Sequence, residues 1–326
     1  MEKIRFAVIG RGFITERFLA HAALCPRFEL TAVCSRRADT ARDFAARRGA
    51  PLWFDSVEKL AACPQVDAVY IASPTACHAR QSIALLRAGK HVLCEKPGAA
   101  NGAELEQVLA AAAQSGCVWL EAMKPVFEPG FARVRELLAQ IGPVRRVSAQ
   151  FCRRSDHYAA FPQELKSDLD PALAGGALMD VGCYLVHPLV ALFGAPQSVQ
   201  ASALLLPGAA DAQTCLQLFW SGMIAQCAAG KMETSALPSE ISGENGALLI
   251  EKFNEPSRLT LVLRGQEPQP VATGQRAENM LYELETFLDL IDGAGGAALY
   301  HGWSRQTMAV LDESRRQIGL RFPADG

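Results

Sequence analysis

The amino-acid sequence predicts an α/β protein, in which an N-terminal doubly wound parallel sheet is followed by an α+β domain with a large, mostly antiparallel sheet. Up to residue 122, short β-rich runs alternate with helical stretches, and parallel strands need such crossover helices. Further on, strands joined by short Gly-containing turns favour antiparallel pairing. The 326 residues exceed the roughly 250 to 300 at which one core stops growing. We therefore expect two domains, 1–122 and 123–326.

In the first domain, each predicted strand leads into a helical stretch. The helix at 76–87 has apolar residues at helical spacing, and Gly89 stands where a helix C-terminal glycine is expected. Asn101, three residues before Glu104, predicts a capping pair for the last helix. The predicted strands are 4–9, 29–34, 68–72, 91–94 and 118–122, and the helices are 13–24, 40–48, 57–62, 76–87 and 102–114.

In the second domain, short strands dominate and three helices are available to cover one face of their sheet. If the other face is also apolar, a second copy of the chain is its natural cover, so we expect a homodimer or homotetramer. The predicted strands are 144–152, 198–206, 214–220, 223–231, 247–250 and 259–263, and the helices are 181–193, 280–291 and 305–317.

Composition narrows the class of protein. The formal net charge is -2, with no long Lys/Arg block to neutralise phosphates, so we expect no nucleic-acid partner. The ten cysteines form no Cys-x-x-Cys and no zinc-like spacing, which indicates reduced core residues of a cytoplasmic protein and no metal site. No uninterrupted apolar run approaches 18 residues and no leader precedes the first strand, so we expect no membrane association.

A glycine-rich turn predicts a dinucleotide site. Gly10-Arg11-Gly12 directly follows the first strand and opens the first helix, where glycines let a pyrophosphate approach backbone N–H groups. The third position of this fingerprint is Thr15 instead of Gly or Ala. A simple pair of turn glycines is the alternative interpretation.

The end of the second strand indicates which dinucleotide is preferred. NAD-binding chains usually carry an acidic residue there, whereas this one reads Cys34-Ser35-Arg36-Arg37. Ser35 can donate a hydrogen bond to a 2'-phosphate, and Arg36 offers a planar charged fork and a stacking surface for adenine. The pattern predicts NADP as the preferred cofactor, with NAD possible; a solvated arginine pair at a helix start is the alternative.

Two segments carry candidate catalytic groups. Lys96, within Glu95-Lys96-Pro97, closes the apolar run 91–94 at a strand end, where open α/β sheets bind and react with ligands. If a helix starts at Asp180, then Asp180, Tyr184 and His187 share one face, although Pro188 would kink the helix. A solvated Lys96, a packed Tyr184 and a structural His187 are the alternatives.

These residues belong to a wider set of motifs, through which the chain resembles the glucose-fructose oxidoreductase/inositol dehydrogenase/MocA superfamily. The resemblance implies a Rossmann domain followed by a mixed-sheet domain that carries substrate and subunit contacts. The motifs are Gly10-x-Gly12, Ser73-Pro74-Thr75-x-x-His78, Gly89-Lys90-His91-Val92, Glu95-Lys96-Pro97, Glu121-Ala122 leading to Pro129, Gly175-Gly176-Ala177-Leu178-x-Asp180-x-Gly182, and Ile241-x-Gly243-x-x-Gly246.

The resemblance also implies roles for individual residues. Lys96, Asp180 and Tyr184 would flank the nicotinamide; the Gly-Cys-Tyr form resembles the glucose-fructose oxidoreductase and dihydrodiol dehydrogenase branches, in which the Tyr is the proposed acid/base. His187 and Lys124 are candidate substrate-binding residues, Lys124 within a segment, 121–127, that departs from those two branches. The candidate cofactor-binding residues are Gly10, Gly12, Phe13, Ile14, Ser35, Arg36, Ser73, Pro74, His78 and Glu95.

The reaction expected from these residues is hydride transfer between a nicotinamide and a hydroxyl-bearing or carbonyl carbon of a sugar, polyol or related cyclic alcohol. A tyrosine ordinarily has a pKa of about 10, and a nearby ammonium such as that of Lys96 would favour the phenolate that accepts the alcohol proton. Two other classes remain open: a regulator that senses the cofactor without turnover, and a redox-neutral enzyme that keeps its nicotinamide bound.

Overall fold

The computed structural model describes residues 3–326, within which the chain divides into two units. The first unit comprises the chain up to Ala122 together with Glu278–Gly302, and the second comprises Met123–Ala277 and Trp303–Gly326. The sequence assigned everything after residue 122 to one domain. In the structure, the chain instead returns to the first unit for Glu278–Gly302 and then leaves it again.

The first unit contains a parallel sheet of six described strands in the order β3-β2-β1-β4-β5-β6, which confirms the predicted doubly wound topology. Strand β3 was not predicted, because three residues are too few to show a pattern. The strands are β1 (Ile4–Ile9), β2 (Phe28–Cys34), β3 (Leu52–Phe54), β4 (Ala68–Ile71), β5 (His91–Glu95) and β6 (Trp119–Ala122). The helices are α1 (Phe13–Ala22), α2 (Ala38–Arg48), α3 (Val57–Ala61), α4 (His78–Arg87), α5 (Gly102–Ser115) and α9 (Met280–Ile291).

Helix α9 belongs to the first unit because its apolar face packs there. The ring of Phe287, fully buried, meets that of Phe6 on β1 edge to face at 6.0 Å between centroids. At the end of the helix, Arg27 donates to Asp289 and Asp292, both at 2.6 Å. A sequence pattern shows that such a helix has an apolar face, but not which sheet receives it.

The second unit contains a sheet of eight described strands in the order β14-β13-β12-β11-β7-β10-β9-β8. In the described chain β7 and β10 pair in parallel and the other neighbours are antiparallel, so the prediction of a mostly antiparallel sheet is confirmed. The strands are β7 (Val144–Cys152), β8 (Ser198–Leu205), β9 (Asp211–Trp220), β10 (Met223–Gly230), β11 (Ser239–Gly243), β12 (Gly246–Ile250), β13 (Leu259–Leu263) and β14 (Gln269–Val271).

Alternation along these strands separates two faces. Val147, Leu216 and Ala225 are buried, whereas Gln217 and Gln226 on the opposite face are exposed. The remaining helices are α6 (Pro129–Ile141), α7 (Asp156–Ala160), α8 (Cys183–Phe193) and α10 (Ala298–Ile318), of which α10 begins in the first unit and ends in the second. Helix α6 was not predicted, although Pro129 suits a first helical position, where no N–H is needed.

The segment Pro171–Phe193 is long and apolar enough to cross a membrane by composition alone. Asp180 and His187 interrupt the segment, so it contains no uninterrupted apolar run of 18 residues. Most of the segment is buried inside the second unit, as expected of a core helix and the residues that lead into it.

Candidate functional site

The turn after β1 requires glycine at Gly10. Its φ is +105°, and a Cβ there would lie 2.4 Å from the carbonyl oxygen of Ala72, at the end of the neighbouring strand β4. The Gly10 turn and the end of β4 are therefore in van der Waals contact. In a doubly wound sheet this is the switch point between β1 and β4, where ligands bind.

The N-terminus of α1 leaves space for an anionic group. Gly12 is the N-cap residue, no described side chain caps the helix, and a Cβ at Gly12 would meet nothing within 4 Å. The first N–H groups of the helix, from Phe13 and Ile14 onward, can thus serve a pyrophosphate. The hydroxyl of Thr15 is fully buried and has no hydrogen-bond partner among residues 3–326. These features fit a bound dinucleotide.

The residues after β2 differ in whether their side chains already make hydrogen bonds or ion pairs within the protein. Ser35 Oγ lies 3.1 Å from Thr40 Oγ1, which donates to the Arg37 carbonyl at 2.9 Å. Arg37 is paired with Asp39 at 2.5 Å. Arg36 is exposed and makes no hydrogen bond or ion pair with any described residue. The predicted 2'-phosphate position therefore has two adjacent hydroxyls and one uncommitted guanidinium.

His78 joins the loop after β4 to the turn after β5. Its Nδ1 lies 2.8 Å from the carbonyl oxygen of Pro97 and its Nε2 lies 2.7 Å from that of Ser73. Ser73 also donates to Gln81 at 2.7 Å. Burial lowers the pKa of His78, while the two carbonyl contacts act in the opposite direction. Ser73, Pro74 and the Lys96–Pro97 turn are thus held in one arrangement.

Glu95 is fixed at the end of β5. It is buried, and the Tyr70 hydroxyl donates to its Oε1 at 2.5 Å, while the backbone N–H of Lys96 lies 3.3 Å from its Oε2. The Lys96–Pro97 peptide bond is cis. The structure therefore places Lys96 at the carboxyl end of the sheet, as the sequence predicted for an open α/β fold.

In the second unit, the segment that carries Asp180 differs from the predicted continuous helix. Leu178–Gly182 forms a wider π-helical turn, and α8 begins only at Cys183. Pro188 lies inside α8, where it cannot donate to the carbonyl of Tyr184. Single-turn π segments are frequent at functional sites, and sequence patterns do not reveal them.

The glycines before this turn allow a close approach to other backbone and side chains. A Cβ at Gly175 would lie 2.7 Å from the Ser167 carbonyl oxygen, and one at Gly176, whose φ is +127°, would lie 2.1 Å from Asp211 Oδ1. Asp211 Oδ2 accepts from the Leu178 N–H at 2.7 Å. Burial raises the pKa of Asp211, whose Oδ1 has no hydrogen-bond partner among the described residues. Asp211 thus anchors the start of the π-turn.

The Asp180 carboxylate is held by a lysine that the sequence analysis did not single out. Lys231 Nζ donates to Asp180 Oδ2 and to Asp168 Oδ2, both at 2.5 Å, and Asp168 Oδ1 lies 2.6 Å from His157 Nδ1. Burial opposes the charge of Lys231, but Asp180 and Asp168 outweigh it and raise the pKa of this lysine.

Tyr184 and His187 have different surroundings. Tyr184 is partly exposed and packs edge to face on Phe151, with 5.8 Å between ring centroids. His187 is only 2% exposed and meets the ring of Trp303 at 6.3 Å, and burial lowers its pKa to about 3. The predicted stripe of three polar groups on one face is therefore divided, since Asp180 and Tyr184 reach the surface of the unit and His187 lies in its core.

Lys124 lies in a buried ion pair. Its Nζ donates to Glu128 Oε1 at 2.9 Å and to the Asn254 carbonyl at 3.3 Å, and Gln275 donates to Glu128 Oε2 at 2.8 Å. Burial raises the pKa of Glu128 to about 7 despite the nearby ammonium. The structure thus commits Lys124 to contacts within the second unit, and its predicted contact with substrate remains a prediction.

Sequence reasoning missed Lys231, Asp168 and Asp211. Asp168 lies in a loop, Asp211 begins β9 and Lys231 follows β10. None of them stands in a motif, and the residues of the Asp180 segment that Asp211 and Lys231 bind are distant in sequence. The described residues contain no group of three or more His, Cys, Asp or Glu side chains that could hold a metal ion.

The doubly wound first unit and its glycine turn define the class of protein: an oxidoreductase with an NAD(P)-binding Rossmann domain. The chain belongs to the GFO/IDH/MocA oxidoreductase family. Its NAD-binding Rossmann fold matches residues 4–122, and the C-terminal domain of the same family matches residues 131–249. The predicted resemblance is confirmed, and the protein is an NAD(P)-dependent oxidoreductase acting on CH–OH groups.

Individual proteins support this assignment along the whole chain. The chain is 39% identical to scyllo-inositol 2-dehydrogenase (NADP(+)) IolU of Bacillus subtilis over 325 residues, 99% of each protein. It is 29% identical to trans-1,2-dihydrobenzene-1,2-diol dehydrogenase of Mus musculus, again over 99% of each. Aldose-aldose oxidoreductase from Caulobacter crescentus, in complex with glycerol, has the same fold, with a TM-score of 0.86, 23% identity and 97% of both chains covered.

Proposed function

We propose that this protein is an NADP-preferring dehydrogenase that transfers a hydride between the nicotinamide and a hydroxyl-bearing carbon of a sugar, polyol or related cyclic alcohol. The observation that carries the proposal is Asp180, presented on a π-turn anchored by Asp211 and fixed by Lys231, in a chain whose first unit binds NAD(P). A partly exposed carboxylate of this kind accepts hydrogen bonds from substrate hydroxyls.

The preference for NADP rests on the residues after β2. Arg36 is exposed and uncommitted, and Thr40 already donates its hydroxyl proton to the Arg37 carbonyl, so a 2'-phosphate would meet a charged fork and the hydroxyl of Ser35 as a donor. No acidic residue occupies the strand end that reads Cys34-Ser35-Arg36. NAD remains a possible second cofactor, because the pyrophosphate contacts are common to both dinucleotides.

The substrate class is supported by the relatives. One is named for oxidation of an inositol and another for oxidation of a cyclic diol, and both substrates are cyclic with neighbouring hydroxyls. Such substrates present several donors that an oriented carboxylate can accept. His187 is less suited to a direct contact than Asp180 because it is buried.

A nicotinamide held by the first unit would supply or accept the hydride. In the oxidative direction, the phenolate of Tyr184 would accept the alcohol proton and become the neutral phenol, and Lys96 would donate a hydrogen bond to the reacting oxygen. Asp180 orients the hydroxyl groups. The fixed position of Glu95, bonded to Tyr70, limits the freedom of the backbone that carries Lys96.

The deciding experiment follows nicotinamide absorbance with scyllo-inositol, other inositols, aldoses, polyols and trans-dihydrodiols, using NADP and NAD in parallel. We expect turnover with at least one cyclic polyol or diol, and a decrease in kcat of about 10²- to 10⁴-fold in both Lys96→Met and Tyr184→Phe. Cofactor binding, measured by fluorescence, should be nearly unchanged in both variants.

Other outcomes would identify the competing classes. Product formation without net change in nicotinamide absorbance would indicate a redox-neutral enzyme that keeps its cofactor bound. Cofactor and polyol binding without any product would indicate a regulator. Near-normal turnover of Tyr184→Phe would remove this tyrosine from the proton transfer.

The composition of the chain and the exposed face of its second sheet also bear on where the protein acts and with what partners. We infer a cytoplasmic homodimer or homotetramer with a small-molecule substrate and with no nucleic-acid or membrane partner. The net charge of -2 and the spacing of the ten cysteines, which form no Cys-x-x-Cys motif, support this setting. The exposed face of the eight-stranded sheet, which carries Ile224, Gln217 and Gln226, supports self-association.

A further inference from the structure

Lys231 occupies an unusual position for a lysine. It directly follows β10, its side chain is only 4% exposed, and its one ammonium serves two carboxylates, those of Asp168 and Asp180. An ammonium is rarely buried so fully unless it is paired. The pairing here joins positions that are 63 and 51 residues away in sequence.

The backbone of Lys231 is also fixed. Its N–H donates to the Ala212 carbonyl at 2.9 Å, and its own carbonyl accepts from Ser155 at 2.9 Å. Ala212 is adjacent to Asp211, which holds the start of the π-turn. The same end of the β9–β10 hairpin therefore binds the Asp180 segment at two points. Asp211 accepts from the Leu178 N–H at the start of the π-turn, and Lys231 donates to the Asp180 carboxylate.

Lys231 supplies the positive charge between two carboxylates. Two carboxylates approach one ammonium within hydrogen-bond distance, and the only other described partner of Asp168 among ionisable side chains is the half-exposed His157. Without the ammonium, Asp168 and Asp180 would repel each other, and Asp180 Oδ2 would lose the hydrogen bond from Lys231 Nζ.

We propose that Lys231 is a positioning residue for hydride transfer, which holds the Asp180 carboxylate ionised and correctly oriented through the Asp168–Lys231–Asp180 triad. This inference rests on the proposed function, in which Asp180 orients the substrate hydroxyls. Lys231 acts through Asp180 and does not itself contact the substrate. Because the carboxylate stays ionised, Asp180 accepts hydrogen bonds and does not donate a proton during the reaction.

The kinetic test compares Lys231→Met with Lys231→Arg. We expect Lys231→Met to lower kcat about 10²-fold with the KM for NADP unchanged, and Lys231→Arg to recover most of this loss, since a guanidinium can serve both carboxylates. Lys59→Met is the matched control: it removes a lysine from an ion pair with Asp55, at 2.7 Å in the first unit, and should leave kcat unaltered.

A double substitution distinguishes positioning from direct contact. In the Asp180→Asn background, Lys231→Met should lower kcat by less than about threefold further, because the group through which Lys231 acts is already altered. Two losses that multiply would overturn the proposal, as would a Lys231→Met enzyme with wild-type kcat and an unaltered pH profile.

A readout without turnover separates this inference from the proposed function. The Asp180 carboxyl, assigned by loss of its signal in Asp180→Asn, is titrated by ¹³C NMR in the NADP-bound protein. We expect its pKa to rise in Lys231→Met and to fall in Asp168→Asn, which removes a repelling charge and leaves the ammonium in place. Unchanged titration in Asp168→Asn overturns the triad even if Lys231→Met does not fold. A wild-type protein that is inactive on every substrate would contradict the proposed function, but the titration of Asp180 would still test the triad.

Discussion

Two adjacent arginines show how strongly local pairing decides what a residue can bind. Arg37 is held by Asp39 at 2.5 Å, whereas Arg36 is exposed and uncommitted within residues 3–326. Only an unpaired guanidinium can bind a phosphate without first losing a carboxylate. The two side chains are adjacent in sequence and identical in chemistry, so each serves as the control for the other.

We expect Arg36→Ala to weaken NADP binding about 10- to 100-fold, because it removes a charge-assisted contact of about 1.5–3 kcal/mol, and to spare NAD binding. Arg37→Ala should change the affinity for either cofactor by less than about threefold. Fluorescence titration with NADPH and NADH measures both. Equal losses for the two cofactors in Arg36→Ala would contradict the assignment of the 2'-phosphate contact.

Glu128 should make stability depend on pH. Its pKa is about 7 in the folded protein against an ordinary 4.5, so the folded state binds more protons than the unfolded state between these values. Its contribution is therefore complete below pH 4.5 and is lost as the pH rises through 7, by at most about 3 kcal/mol.

The test is Glu128→Gln, which keeps the shape and cannot ionise. We expect its urea midpoint to gain on that of the wild type as the pH is raised from 5 to 8. Glu255→Gln, which alters a less buried partner of Lys124, should show no such gain. A constant difference between wild type and Glu128→Gln across this range would show that Glu128 is ionised throughout.

At the scale of the element, the π-turn and α8 are flanked by two glycines that serve different purposes. Gly176 and Gly194 both have positive φ, but a Cβ would strike Asp211 Oδ1 only at Gly176, while nothing lies within 4 Å of one at Gly194. The first glycine thus brings together a backbone turn and an anchoring carboxylate, and the second only ends a helix.

We expect Gly176→Ala to cost about 2 kcal/mol more in unfolding free energy than Gly194→Ala, because the clash adds to the backbone strain and displaces Asp211 from the Leu178 N–H. Thermal and urea unfolding of the two variants compare the costs directly. Similar losses would mean that Asp211 moves aside without penalty, which would weaken its assignment as an anchor.

The elements most visible in the sequence were those with strong local periodicity. Strand β1, the glycine turn and α1 follow from a few consecutive residues, and the Asn101 cap was predicted correctly, with Glu104 N–H donating to its side chain at 2.9 Å. Strand β3 is too short to predict, and α6 was missed because Pro129 and Gly130 suggest a break. The destination of α9 depends on tertiary packing that no local pattern encodes.

The same distinction applies to the candidate site. Lys96 and Asp180 stand in recognisable motifs, and Gly176 could be read as part of one. Lys231 could not be predicted as a site residue, because a single lysine after a strand is usually solvated. Its carboxylate partners become apparent only in the folded structure. The division of Tyr184 from the buried His187 likewise depends on packing against Phe151 and Trp303.

At the scale of the whole molecule, the uncovered face of the eight-stranded sheet bears on self-association. Ile224 on β10 is 45% exposed, beside Phe219 on β9 in the strand register. Helix α8 contacts β7 and β10, whose buried residues Val147 and Ala225 alternate along the strands with exposed residues such as Ile224. An apolar residue in the middle of a broad exposed sheet is typical of contact with another chain.

We expect light scattering coupled to size exclusion to give a mass of two or four times the 35.1 kDa chain. Ile224→Asp should shift this mass toward that of the monomer, because a buried charge is placed in the contact. Leu24→Asp, which alters an equally isolated apolar residue that is 61% exposed in the first unit, should not. A monomeric wild-type protein would contradict the proposed assembly.

The chain passes between its two units three times, after Ala122, before Glu278 and within α10. Dividing the chain at one position therefore cannot yield two fragments that each contain one complete unit. A fragment ending at residue 122 would lack α9 and leave Phe6 without the ring of Phe287. It would also lose His301, whose Nε2 lies 2.8 Å from the Trp119 carbonyl oxygen. During synthesis on the ribosome, the first unit cannot be completed until residue 302 has emerged. The part of this unit that ends at Ala122 therefore keeps the surface that α9 covers exposed to solvent while all eight strands of the second sheet are synthesised.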